Sequence, residues 1–224
     1  SGLLEQVLPE VAAFVTCDHS SPYHPEGTVF EHVRIMLSML KPDADPSLPW
    51  AVLLHDVGKP AVAVLDAETG HKHFYGHEKV GAAMAETILT RLRFLRKQID
   101  QIVQMVRCHT QFRDARHMKK STLRRVMGRP TFPIELELHR LDCLASHGEL
   151  DAHALFVQRA AELGSEPPLP PPLVRGRDLL RVGIAPGPAM GALLAAIQER
   201  HLEGELQTRD QALAWALQRV SAKD

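Results

Sequence analysis

The chain has 224 residues, 45% of them hydrophobic, and a formal net charge of −1. That apolar content supports a packed core and excludes a disordered chain, while near-neutrality excludes a global pull toward nucleic acid or membrane. Three scattered cysteines, Cys17, Cys108 and Cys143, lack CxxC spacing, which argues against a disulfide framework or a thiolate zinc site.

The longest apolar runs, such as residues 50–54, are too short to span a bilayer. No basic-then-apolar leader opens the sequence, so a cytoplasmic location is expected. Leu3, Leu4, Val7, Leu8, Val11 and Phe14 recur at three- and four-residue steps and predict a first helix. A His/Pro/Gly stretch at 20–27 interrupts. Val29, Val33, Met36 and Leu40 predict a second helix, closed by Lys41-Pro42. A third, residues 50–57, is apolar on nearly every side, as a buried helix would be. Between 61 and 74, alternating β-branched residues flank Asp66-Ala67-Glu68-Thr69-Gly70 and predict a short hairpin. Helices follow at about 78–92, 97–108, 121–127, 133–147 and 150–163. Residues 166–172 (Glu-Pro-Pro-Leu-Pro-Pro-Pro) read as a semi-rigid linker. Beyond it two or three short helices are expected, one opened by Ala185-Pro186-Gly187-Pro188. The domain expectation is a core over residues 1–165 and a linker plus helical appendage over 166–224.

Most of the 13 histidines need no special role, and five read as solvated surface: His71 and His73 in the hairpin, and His117, His153 and His201 among charged neighbours. Four differ. His32 lies three after Val29 and four before Met36. His55 ends the apolar run at 50–54, with Asp56 directly after it. His77 precedes Val80, Gly81 and Met84 at helical spacing, and His109 ends the stripe Ile99, Ile102, Val106. Asp142 falls in the inward slot between Leu138 and Ala145. Burying a lone carboxylate is costly, and Lys or Arg partners are scarce on these inner faces. Inward His and Asp suit a divalent cation instead.

Adjacent residues such as His55 and Asp56 can act together only where a helix ends, and Gly58 and Pro60 supply that end. Lys59 has two readings, an ammonium beside a bound phosphate or an ordinary solvated lysine at a helix terminus. Arg113, Arg116, His117, Lys119, Lys120, Arg124, Arg125 and Arg129 form a local basic stretch. It reads either as a surface for RNA phosphates or as a solvated helix face, and Phe112 alone offers no aromatic interleaving.

His32, then His55-Asp56-Val57-Gly58-Lys59, then Asp142 resembles the HD phosphohydrolase superfamily, whose ligands follow the order H…HD…D. His24-Pro25-Glu26-Gly27 with Phe30-Glu31-His32, Phe74-Tyr75-Gly76-His77-Glu78, and the segment Leu138-His139-Arg140-Leu141-Asp142 through His147 are similar to the HD-domain half of bacterial tRNA nucleotidyltransferases and poly(A) polymerases. So is the tail, with Pro186-Gly187-Pro188 and Leu202-Glu203-Gly204-Glu205-Leu206. No Gly-Ser motif followed by an Asp-x-Asp pair appears, so nucleotide addition is not expected of this chain.

The resemblance implies an all-α HD-domain helical bundle with a short β-hairpin and a C-terminal helical appendage. It implies that His32, His55, Asp56 and Asp142 bind one metal. His77 and His109 fit the extra pair of binuclear members, with Asp56 bridging; in the mononuclear alternative they contact phosphate. One or two divalent ions are implied, Mn, Ni, Co, Fe or Zn, with Mg admissible. Catalytic roles fall to Asp56 and Lys59, and phosphate contacts to His24, Lys59, Arg113, Arg116, Lys119 and Arg140. His24 and Glu26 are the candidates for protonating the leaving oxygen. The implied activity is hydrolysis of nucleotide or RNA-end phosphates, foremost 2′,3′-cyclic phosphodiesterase and 2′-phosphatase chemistry. Two alternatives stand beside it: a non-catalytic tRNA-binding body of a nucleotidyltransferase, and an HD hydrolase of deoxynucleotides or signalling nucleotides.

Overall fold

The computed structural model describes residues 2–19 and 26–221. Pro9 lacks an amide hydrogen and its ring clashes with the preceding turn. It splits the expected first helix into α1 (Leu3–Val7) and α2 (Pro9–Ala12), with a 3₁₀ turn over Ala13–Thr16. The next helix, α3 (Val29–Ser38), starts at Thr28, whose hydroxyl accepts the Glu31 amide at 3.3 Å. The apolar run forms α4 (Leu48–Leu54), and the chain then turns through His55 to Gly58 into a short helix, α5 (Lys59–Val62), absent from the periodicity.

The hairpin is present as β1 (Val64–Leu65) and β2 (Lys72–His73), antiparallel, with Val64 opposite His73 and Leu65 opposite Lys72. Asp66 stabilises its turn by accepting the amides of Glu68 and Thr69 at 2.8 and 3.1 Å. Two long helices follow, α6 (His77–Arg91) and α7 (Arg96–Cys108), and a 3₁₀ segment, His109–His117, that the sequence pattern did not suggest. The remaining helices are α8 (Lys120–Met127), α9 (Phe132–Ala145), α10 (Asp151–Leu163), α11 (Gly176–Arg181), α12 (Pro188–Glu203) and α13 (Arg209–Ser221). The architecture is all-α with one small hairpin. Among the described residues no helix is long and apolar enough to cross a membrane.

The chain packs as two units, Ser1–Arg116 with Pro130–Leu155, and His117–Arg129 with Phe156–Asp224. The composition break at residue 166 therefore differs from the packing division, which falls inside α10 and transfers α8 to the second unit. The cause is pairing distant in sequence. Ser121 of α8 donates its hydroxyl to Glu199 of α12 at 2.6 Å and its amide to Glu203 at 3.0 Å. Buried Arg124 donates to Glu166 at 2.6 Å and to the carbonyls of Pro168 and Pro167 at 2.8 and 3.2 Å, tying the polyproline segment to α8. This unit has its own core, including Leu179, Leu193, Ile197, Leu206 and Ala216.

In the first unit, the apolar stripes of α3, α4, α6, α7 and α9 share a core that includes Val33, Met36, Val52, Leu54, Ile88, Ile102, Val106 and Leu141. The turn after α4 is pressed against the start of α6. A Cβ on Gly58 would lie 2.3 Å from the His77 carbonyl oxygen and 2.6 Å from the Gly81 amide nitrogen. Only glycine admits that approach, which sets Asp56 beside His77.

Candidate metal centre

Each side chain of the centre leaves its backbone where a helix begins, ends or turns its inner face to the core. His32 sits on the buried face of α3, and Asp142 occupies α9. His55 and Asp56 follow the last residue of α4, where the helical spiral stops and both side chains turn the same way. His77 opens α6 directly after Gly76, whose φ of 76° makes the bend. His109 closes α7 and opens the 3₁₀ segment.

Three imidazoles are oriented identically. The Nδ1 of His55 donates to the Val52 carbonyl at 2.8 Å, that of His77 to Phe74 at 2.8 Å, and that of His109 to Val106 at 2.7 Å. With Nδ1 carrying the hydrogen, the neutral ring offers a lone pair at Nε2. All three Nε2 atoms face Asp56. Its Oδ2 lies 3.2 Å from His55 Nε2, and its Oδ1 lies 3.3 Å from His77 Nε2 and 3.7 Å from His109 Nε2. The carboxylate thus divides its two oxygens between two groups of donors. His32, His55 and Asp56 form one close triad, and Asp56, His77 and His109 another. Asp142 joins the first, with Oδ1 3.1 Å from His32 Nε2.

The donor set fits a divalent cation. His77 Nε2 and His109 Nε2 stand 3.1 Å apart, and two lone pairs at that distance repel unless a positive centre lies between them. A proton on His109 is disfavoured, because burial, reinforced by neighbouring His55, presses its pKa down to about 3. The spacings also match. Ions with metal–nitrogen bonds of about 2.1 Å separate adjacent ligands by roughly 3.0 to 3.4 Å; four of the five contacts above fall between 3.1 and 3.3 Å, and the His109–Asp56 contact is wider at 3.7 Å. Backbone carbonyls that lock the far ring nitrogen are the usual outer support of histidine ligands.

The buried charges around these donors compensate one another. Burial would raise the Asp56 carboxyl, but His55 and Lys59 outweigh it and hold it well below the ordinary range. Asp142 is likewise held low against burial, chiefly through its bond with His32. Burial opposes a charge on His32, yet Asp142 and Glu26, the latter 2.6 Å from Nδ1, bring its pKa up to about 9. Lys59 is not a solvated lysine. It is 4% exposed, with Nζ 2.7 Å from Asp56 Oδ2 and 3.0 Å from His19 Nδ1.

A cavity of about 720 Å³ opens onto this group, lined among others by Lys59, His77, Asp142, Arg113, His139 and Tyr75. Arg113 is exposed on its wall. Other expected phosphate contacts are elsewhere. Arg116 pairs with Asp151, and Arg140 is held by Glu137 at 2.7 and 2.8 Å, because both carboxylates lie within reach on the outer surface. Lys119 is exposed and does not line the cavity. His24 falls outside the described residues. Much of the basic stretch is neutralised locally, with Arg125 on Glu199 and Arg124 on Glu166.

Two residues escaped the sequence pattern. His19 is 3% exposed and supports Lys59; only the structure places it there, through the bridge pairing Asp18 with Thr28. His139 is 4% exposed and stacks on Phe112 at 5.1 Å, with burial lowering its pKa to about 4. Its position three before Asp142, hence on the same helical face, was the available signal. His71 and His73, expected in solvent, also line the cavity.

Comparison with known proteins places the chain in a family. A family model described as HD domain matches residues 24–146. The A-adding tRNA nucleotidyltransferase of Deinococcus radiodurans is 36% identical over 227 residues, covering 96% of this chain and 51% of that protein. The CC-adding tRNA nucleotidyltransferase of Thermus thermophilus is 33% identical over 223 residues, covering 96% and 50%. A multifunctional CCA protein of Alkalilimnicola ehrlichii is 33% identical over 127 residues, covering 56% of this chain and 30% of its own length. The chain spans about half the length of the first two.

Proposed function

The chain belongs to the HD-domain family, and from that premise we propose that it is a metal-dependent phosphohydrolase of nucleotide or RNA-end phosphates, foremost a 2′,3′-cyclic phosphodiesterase and 2′-phosphatase. The observation that carries the reading is Asp56 shared between two sets of histidine donors at the floor of a cavity. We assign His32, His55, Asp56 and Asp142 to one ion, and Asp56, His77 and His109 to a second. When bound, such ions supply Lewis acidity toward phosphoryl oxygens and make a water nucleophilic at neutral pH.

The protein's own groups do the rest. Lys59, fixed by Asp56 and His19, presents a positive charge to a phosphoryl oxygen entering the cavity. Arg113 on the wall attracts the same charge from farther out. Glu26 sets the His32 ring through Nδ1 and so aims Nε2 inward. RNA-end chemistry is favoured because the relatives bear the names of tRNA nucleotidyltransferases. The test is turnover of nucleoside 2′,3′-cyclic phosphates with Mn²⁺, with Asp56→Ala and Asp56→Asn as controls. Absence of metal-stimulated release of 2′- or 3′-phosphomonoester would retire the proposal, and elemental analysis of the purified protein would count the ions.

A second reading has its own observation. Nearly the whole chain matches about half of each of two tRNA nucleotidyltransferases, so it can serve as the tRNA-binding body of such an enzyme. RNA affinity would then survive Asp56→Asn and fall on replacing Arg113, Lys119 and Lys120, three exposed cations of the basic stretch. A panel of deoxynucleoside triphosphates and signalling nucleotides separates other HD hydrolases from the first reading.

A further inference from the structure

Tyr75 is 80% exposed, the most exposed large apolar side chain among the described residues. Its neighbour Phe74 packs against the core and lies 5.5 Å beneath the Lys59 ammonium. An aromatic ring left in water beside a filled apolar position calls for a reason. Its orientation supplies one. His73 ends β2 and Tyr75 stands in the turn that follows it, and their rings stack nearly parallel, 5.3 Å apart at 15°. His73 is itself steadied by Asp66 at 3.4 Å. One face of Tyr75 is thereby backed and the other is open, and both residues line the cavity that contains Lys59, His77 and Asp142.

We propose that Tyr75, backed by His73, is a nucleobase-stacking platform at the lip of the cavity. The proposal rests on the hydrolase reading and deepens it. Tyr75 precedes His77 by two residues, so their α-carbons are at most about 7 Å apart. A base resting on Tyr75 would therefore lie beside the cavity that Tyr75 and His77 both line. Gly76 fixes that offset by its positive φ. Exposed Lys72 on the hairpin and Arg113 on the wall complete the pairing of aromatic and cation that single-stranded nucleic acid ligands favour. Stacking is indifferent to base identity, so broad base tolerance is expected.

The test compares adenosine 3′-monophosphate with inorganic phosphate by calorimetric titration of the Mn²⁺-loaded full chain. Tyr75→Ala should weaken nucleotide binding about tenfold, the loss of one base–aromatic stack, and leave phosphate binding unchanged. Tyr75→Phe should bind both as the parent does. In turnover of adenosine 2′,3′-cyclic phosphate, Tyr75→Ala should raise KM about tenfold with kcat unchanged. Equal nucleotide affinity in parent and Tyr75→Ala, an equal loss of phosphate affinity, or no nucleotide binding at all would overturn the platform. Tyr75-dependent binding without turnover would uphold it and remove the hydrolase reading. Turnover indifferent to Tyr75 would do the reverse.

Discussion

Replacing Gly58 by Ala probes the contact that sets Asp56 beside His77. The new methyl carbon would lie 2.3 Å from the His77 carbonyl oxygen and 2.6 Å from the Gly81 nitrogen, where ordinary contact begins at 3.4 Å. Both obstacles are backbone, so the turn after α4 and the start of α6 must separate by roughly 1 Å, and such overpacking costs about 1–3 kcal/mol. For a chain of this length that corresponds to a fall in Tm of about 2–12 °C. The same displacement moves Asp56 away from His77 Nε2, now 3.3 Å distant, and should weaken Mn²⁺ binding about 10–100-fold, as lost support of a ligand set does. Calorimetric melting of EDTA-treated protein and Mn²⁺ titration read the two effects separately. Gly191→Ala is the opposite control. That exposed helical glycine has nothing within 4 Å of a new Cβ, so alanine should stabilise α12 by about 0.5–1 kcal/mol. Unchanged Tm and Mn²⁺ affinity in Gly58→Ala would refute the close approach and the reasoning built on it.

Removing Asp56 strands the buried Lys59 ammonium, so Asp56→Ala in metal-free protein should cost about 3–5 kcal/mol. Adding Lys59→Met should recover most of it in urea denaturation, and an Asp56→Ala protein as stable as the parent would contradict that burial. Arg124→Ala should destabilise the second unit by about 1.5–3 kcal/mol and speed proteolysis within 166–172, since Arg124 holds that segment through Glu166, Pro167 and Pro168. Arg91, with its hydrogen bonds at 2.7 and 2.8 Å, lowers the Glu10 carboxyl below its ordinary 4.5. A depressed carboxylate adds stability above its unfolded pKa and loses it as pH falls through the folded value. Glu10→Gln should therefore lower the unfolding free energy read from urea denaturation at pH 7 by under about 1 kcal/mol, as for a partly exposed pair. At pH 3 parent and variant should converge, and a constant gap across that range would show that the charge is not responsible.

What could be read along the chain was whatever depends on local periodicity. Helix type and the inward phase of His32, His55, His77, His109 and Asp142 follow from three- and four-residue apolar spacing, because helical geometry relates residues within a turn or two, and the hairpin around Asp66 follows from two-residue alternation and its turn residues. Pro9 and the 3₁₀ segment after Cys108 fell outside that logic: the first broke a stripe that was apolar throughout, and the second carried no stripe. The basic stretch was legible only in part, for a related reason. Charge was visible in it, but the carboxylates that neutralise Arg116, Arg124 and Arg125 lie 35, 42 and 74 residues away.

Amino-acid order alone determined that several polar donors turn toward an apolar interior, since burying them singly is too costly to be accidental. Tertiary structure decided how they meet. The division of Asp56 between two donor sets and the burial of Lys59 against His19 depend on contacts between segments distant in sequence. Those distances are set by packing, as where Gly58 meets Gly81, and no local period encodes them.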